Sequence, residues 1–140
     1  MSRIEELQQE AIELLQGLIN TPSLSGEEDQ TAALIKKWLE KHGVSCKQQR
    51  NNVYAINKHE DPSKPYLLLN SHHDTVLPNS GYTRDPYKAA IEDGKLYGLG
   101  SNDAGGGLVC LLATFVYFYE QENMAYNLVV AATAEEETSG

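Results

Sequence analysis

Apolar residues recur at helical spacing in the first part of the chain and in short continuous runs further on. Ile4, Leu7, Ala11, Leu14, Leu15 and Leu18 mark one face of a helix, and Pro22 ends the pattern. Ser2 and Glu5 precede it as a capping box. Ser25 and Glu28 repeat that box before a second amphipathic helix through Leu34, Ile35, Trp38 and Leu39, with Gly43 as its C-cap. Both helices have the pattern of scaffold, with 21–26 a polar linker between them. Residues 44–49 and 52–56 form two strand patterns, followed by a polar loop at 58–64. The run YLLL at 66–69, set off by Pro65, is apolar without alternation and predicts a strand buried on both faces. Polarity switches at Asn70, and Ser71, His72, His73 and Asp74 follow. After a loop at 77–86, residues 87–91 and 95–97 flank Asp93-Gly94 as a hairpin. Residues 98–107, GLGSNDAGGG, carry glycine at half their positions, so the backbone there approaches something closely or turns unusually. A helix over 105–121 is apolar nearly all round, which predicts burial. NLVVAAT at 127–133 is a second buried strand, running directly into Glu135, Glu136 and Glu137. The expected fold class is α/β, a mixed, largely parallel sheet flanked by helices.

At 140 residues the chain is one domain at most, long enough to bury a core. A formal net charge of −9, without a basic stripe, argues against nucleic acid and anionic membrane as partners. The longest apolar run, 108–119, falls short of the roughly 20 residues a membrane span needs. The acidic, amphipathic N-terminus fits neither a signal peptide nor a transit peptide. Cys46 and Cys110 sit in apolar patterns without ligand spacing. Both are expected as buried free thiols in a reducing, cytoplasmic compartment.

Chemistry concentrates where apolar runs stop. A buried strand ending in His72-x-Asp74 places polar groups at the carboxyl edge of a sheet, where open α/β folds hold their ligands. Residues two apart in an extended segment point the same way, so Asp74 can orient the His72 imidazole while His73 points away. A lone histidine after a strand is more often structural, and most glutamate runs are solvated. Yet three adjacent anions at a strand end are costly unless a cation offsets them. One of Glu136 and Glu137 could bind a metal while its neighbour moves a proton. The glycine-rich turn matches neither a dinucleotide fingerprint nor a P-loop, and Asp103 within it would repel a phosphate. His72, Asp103 and a glutamate offer nitrogen and oxygen ligands suited to zinc, which points to a metal hydrolase. A serine hydrolase is the weaker reading, because there is no G-x-S-x-G elbow.

These segments resemble the dinuclear zinc aminoacylase/carboxypeptidase family, which includes acetylornithine deacetylase and succinyl-diaminopimelate desuccinylase. SHHDTVLP at 71–78 is similar to G-H-x-D-x-V-P, with Ser for Gly and one residue inserted before Pro. DPYKAAIEDGKLYGLGSNDAGGG is similar to D-P-F…D-G-x-L-Y-G-R-G-x-x-D-x-K-G-G, and TAEEETSG to T-x-D-E-E-x-S. TPSLSGEE is a softer fourth match. Leu99 stands where the family usually has Arg, and Gly105 where Lys is common.

The resemblance implies a zinc-exopeptidase-like catalytic domain of which 1–140 is the N-terminal part. A further acidic ligand, a late histidine ligand and a lid domain that dimerises would lie outside it. It implies His72 and Glu137 as ligands of two different Zn²⁺ ions, with Asp103 bridging them. Asp74 would support His72, and Glu136 would act as general base. Glu135 occupies the place of the family's usual Asp, so a register shifted by one is the alternative. A cis peptide bond is expected at Asp103-Ala104. Co²⁺ or Mn²⁺ could substitute for zinc. The implied substrate is an N-acyl amino acid, acetylornithine or succinylornithine above all, and the implied assembly is a homodimer through the lid. A dipeptidase or carboxypeptidase is the alternative within the family. An inactive fragment or non-catalytic relative serving as a binding module is the alternative outside it.

Overall fold

Helix α1 spans Arg3–Ile19 in a computed structural model that describes residues 1–138. Ser139 and Gly140, which end the TAEEETSG match, lie outside the described residues. The α1 capping box forms in both directions: Ser2 Oγ accepts from the Glu5 amide, and the Ser2 amide donates to Glu5 Oε2. Helix α2 spans Asp29–Lys41 and stops before Gly43, whose φ of 75° is the left-handed conformation glycine adopts freely. The second capping box does not form. Glu28 is the N-cap of α2 but makes no side-chain cap, because Ser25 and Glu28 both hydrogen-bond to distant segments instead.

Strands β1 (Cys46–Gln49) and β2 (Asn52–Ile56) form a hairpin, and β3 (Tyr66–His72) follows the polar loop. β4 (Ala90–Glu92) and β5 (Lys95–Tyr97) turn at Asp93-Gly94, both with positive φ, as a two-residue hairpin requires. A π-type turn at Ser101–Gly105 leads into α3 (Gly106–Phe118), and β6 (Asn127–Thr133) completes the main sheet. That sheet runs β1-β2-β6-β3. It is mixed: β3 and β6 are parallel, whereas β1-β2 and β2-β6 are antiparallel. The parallel character therefore resides in the β3-β6 pair, the pair that ends at the acidic segment.

The core lies between the helices and one face of the sheet. Ile35, Leu39, Leu108, Leu112 and Phe115 are fully buried there. Each such side chain contributes about 1.5–3 kcal/mol through removal from water. Three expectations need correction. β3 is an edge strand among the described residues, so Tyr66, Leu67 and Leu68 are 49, 45 and 57% exposed rather than buried on both faces. α3 packs one side against α1 and the sheet, leaving Tyr117 and Phe118 exposed on the other. The thiols follow the same geometry: Cys110 is exposed on α3, and Cys46 is half-buried on β1.

Candidate metal centre

Parallel pairing of β3 with β6 brings their carboxyl ends together, with His72 opposite Thr133. His72 closes β3 and is buried. Its Nδ1 lies 3.1 Å from the Asp74 carbonyl oxygen and 3.2 Å from Asp74 Oδ1. With the Nδ1 proton held there, Nε2 is the nitrogen left to ligate. Nε2 faces Asp103 Oδ1 at 3.1 Å and Glu136 Oε2 at 3.7 Å. Burial alone would lower the imidazole pKa. The Asp74 carbonyl and the Asp103, Asp74 and Glu136 carboxylates outweigh it, and the net shift is upward.

His73 points the other way, as strand alternation requires. Its Nδ1 meets Thr31 Oγ1 at 2.8 Å and its Nε2 meets the Asn51 carbonyl at 2.9 Å. Burial pushes its pKa down, so the ring is neutral. Nε2–H then donates to Asn51, and Nδ1 accepts from the Thr31 hydroxyl.

Asp74 is fully buried and gathers three donors. Ser25 Oγ and the Glu137 amide donate to Oδ2 at 2.6 and 3.0 Å, and the Glu136 amide donates to Oδ1 at 3.2 Å. Burial would raise its pKa, but the Ser25 hydroxyl, the two amides and His72 bring it below the usual carboxylate range. Asp74 thus touches the imidazole and anchors the acidic turn at once. That turn is possible because Glu135 adopts φ 60°, which swings the chain out of β6 and aims the next two amides at Asp74.

Asp103 enters from the glycine-rich turn, with a cis peptide bond to Ala104. The turn is tight: the Gly105 amide donates to the Gly100 carbonyl at 2.8 Å. A Cβ at Gly105 would stand 2.6 Å from that oxygen and 2.7 Å from Leu15 Cδ1. No side chain fits there without movement of the turn or of Leu15.

His72, Asp103 and Glu137 each present one ligand atom, all within 4.8 Å of one another. Ligand atoms about 2 Å from one zinc ion lie roughly 3–3.5 Å apart, so a spacing of up to 4.8 Å is close to what metal ligands need. Burial, and then the Asp103 anion, hold the Glu137 carboxyl above its usual range, with Glu136 and Asp74 adding to the effect. A bound cation removes that repulsion. The donor chemistry and the crowding of anions therefore both fit a metal.

Sequence reasoning set 21–26 aside as a linker, yet this segment is part of the site. The Thr75 amide donates to the Ser23 carbonyl, Ser23 Oγ donates to the His73 carbonyl, and Ser25 reaches Asp74. Glu28 accepts from the Glu135 amide. The softer TPSLSGEE match was the one signal that marked these residues. Beside the centre, an open cleft of about 440 Å³ is lined by Thr75, Tyr82, Arg84, Tyr97, Asp103 and Glu137, among others. Arg84 pairs with Glu92 through two 2.8 Å hydrogen bonds and stacks over Tyr97. Among the described residues no helix is long and apolar enough to cross a membrane.

Comparison with known proteins agrees with this geometry. Residues 68–140 match Peptidase family M20/M25/M40. An acetylornithine deacetylase of Shigella sonnei is 35% identical over 140 residues, covering 91% of this chain and 36% of that protein. A succinyl-diaminopimelate desuccinylase 2 of Ruegeria sp. is 32% identical over 133 residues, covering 91% of this chain and 33% of that protein. The chain thus spans about a third of the length of these curated relatives. The crystal structure of an M20 family metallo-carboxypeptidase, Sso-CP2 from Sulfolobus solfataricus, aligns with a TM-score of 0.76 at 27% identity. That alignment covers 92% of this chain and 31% of the carboxypeptidase.

Proposed function

The chain belongs to peptidase family M20/M25/M40, and from that premise we propose that it is the N-terminal part of the catalytic domain of a zinc-dependent amide hydrolase. The observation that carries the proposal is the convergence of His72, Asp103 and Glu137 from three separate segments on one point. His72, Asp103 and Glu137 would hold the metal, with Asp103 the most exposed of the three and so the one best placed to be shared. Co²⁺ or Mn²⁺ can take the same donors. Metal in this site supplies Lewis acidity, which makes water acidic and polarises a carbonyl.

The chain's own residues supply the rest. Asp74 holds the Nδ1 proton of His72 and so fixes which nitrogen ligates. Glu136 stands at the mouth of the site, its carboxylate 3.7 Å from His72 Nε2 and more than half exposed. It takes a proton from the attacking water and returns it to the nitrogen of the leaving amine. Glu135 instead projects from the left-handed residue that makes the turn. This favours the register in which Glu136 is the base and Glu137 the ligand.

The substrate is an N-acyl amino acid, with acetylornithine or succinylornithine first, which the similarity to an acetylornithine deacetylase supports. Cleavage of a peptide substrate is the second reading, supported by the likeness to a metallo-carboxypeptidase. In the longer protein further ligands and a dimerising lid complete the pocket, and the location is cytoplasmic. The test is Glu136→Gln in that longer protein, read by elemental metal analysis and by hydrolysis of N-acetylornithine. Metal content stays at the wild-type level and turnover falls by about 10²–10⁴-fold. Wild-type hydrolysis by the variant refutes the base assignment.

A further inference from the structure

Glu28 is a fully buried carboxylate with no part in the chemistry above. Its Oε1 accepts from the Gly26 amide at 2.8 Å and from the Glu135 amide at 3.0 Å. Its Oε2 accepts from Asn51 Nδ2 at 3.0 Å. A buried carboxylate is costly unless it is fully hydrogen-bonded. A residue serving only as the negative N-terminus of α2 needs neither burial nor a partner 107 residues away. Glu28 therefore does something besides start a helix.

We propose that Glu28 is a positioning residue for the metal site: it grips the Glu135 amide and thereby sets where Glu136 and Glu137 point. The inference rests on the metal reading of His72, Asp103 and Glu137. Three successive amides, those of Glu135, Glu136 and Glu137, are bound by two buried carboxylates. Glu28 takes the first and Asp74 the next two. The backbone donors are consumed inward, so the side chains of Glu136 and Glu137 turn outward to the site. Through Asn51, whose carbonyl accepts from His73, the same carboxylate ties the acidic turn to the strand end that carries His72.

Reach, rather than charge, is what this role requires. Glutamine at position 28 keeps an oxygen for the Gly26 and Glu135 amides, and its NH₂ pairs with Asn51 once that amide flips. Aspartate keeps the charge but falls short of Glu135 by one methylene. Leu39→Ala, fully buried elsewhere in α2, controls for general loss of stability. Two readouts separate the outcomes: amide hydrogen exchange at residues 135–137 by NMR without metal, and Co²⁺ affinity from the visible absorption of the bound ion.

Glu28→Asp is expected to speed exchange at these amides by about tenfold. It should also weaken Co²⁺ binding by about 10- to 100-fold, as loss of a supporting residue does. Glu28→Gln and Leu39→Ala should hold Co²⁺ nearly as wild type does. The opposite order, aspartate benign and glutamine harmful, would make Glu28 a helix-end charge and overturn the inference. Equal loss in Leu39→Ala overturns it as well. If the wild-type chain takes up no Co²⁺, the metal reading fails on its own and the exchange rates alone decide the positioning role. If the aspartate variant does not fold, exposure of the three amides in Glu28→Gln overturns the inference, and their continued protection supports it.

Discussion

His72 and His73 are neighbours with opposite fates, and strand alternation alone separates them. The sequence carried enough to place them: a period of two and an aspartate two residues after the first histidine. It did not carry the fates of Ser25 and Glu28. Their spacing satisfies a capping box, but their partners lie 49 and 107 residues away. Spacing reports local partners only, so a long-range bond that replaces a local one leaves no periodic trace. The histidine pair gives a contrast to measure. His72→Ala should cost metal affinity beyond the about 10- to 100-fold typical of a supporting residue, with the fold kept. His73→Ala should cost about 1–3 kcal/mol for the Asn51 carbonyl left without its donor, with metal retained, because the Thr31 hydroxyl still reaches the Glu28 carbonyl at 3.1 Å. Elemental analysis beside urea unfolding of both variants checks this, and full metal content in His72→Ala would make His72 structural.

Among the elements, α1, β2, the hairpin and β6 follow the hydrophobic pattern closely, because periodicity and turn chemistry are local. β3 does not, because an apolar run shows only that a strand can be buried, not that something covers it. Among the described residues its outer edge has no strand partner, and Leu67 and Leu68 beside it are exposed, the arrangement that recruits another strand. If this edge pairs chains, the wild-type chain should self-associate in sedimentation, and Leu68→Lys should lower its weight-average mass at matched concentration. A wild-type mass that is monomeric, or unchanged by the substitution, would mean that this edge recruits no second chain. The contact between α1 and the end of α2 carries a second consequence. His42 packs on Trp38, faces Glu10 at 3.3 Å and accepts from Arg3 at Nδ1. Burial leads in lowering its pKa below 6.5, outweighing Glu10, while Arg3 and Lys41 add to the drop. As pH falls through 6.5 the unfolded chain therefore binds the proton first, and stability declines until the folded pKa is passed. Glu10, whose pKa is lowered chiefly by the Lys41 hydrogen bond, adds its loss only below its ordinary 4.5. In chemical unfolding, wild type should lose stability relative to His42→Gln just below pH 6.5. Parallel profiles would remove His42 as the cause.

For the whole molecule, the site is where distant parts of the chain are joined. His72 ends β3, Asp103 sits in the turn before α3, and Glu137 lies just after β6. Residue chemistry at the strand ends groups His72, Asp103 and a glutamate, and the motif resemblance selects Glu137. The fold adds the means: one parallel strand pair, one left-handed glutamate and one buried aspartate that serves two segments. Carboxylates crowded without a cation repel, so a cation bound here would turn a weakness into a cross-link. Metal that binds the folded chain and not the unfolded one stabilises it by about 2.7 kcal/mol at a hundredfold excess over Kd. For a chain of this size that corresponds to a rise in Tm of about 5–10 °C. Thermal unfolding with Zn²⁺ should show this rise, and a chelator should reverse it. His72→Ala should show none, while Leu68→Lys, remote from the ligands, should shift as wild type does. An unchanged Tm at saturating zinc in the wild-type chain would mean that these three side chains meet without holding a metal.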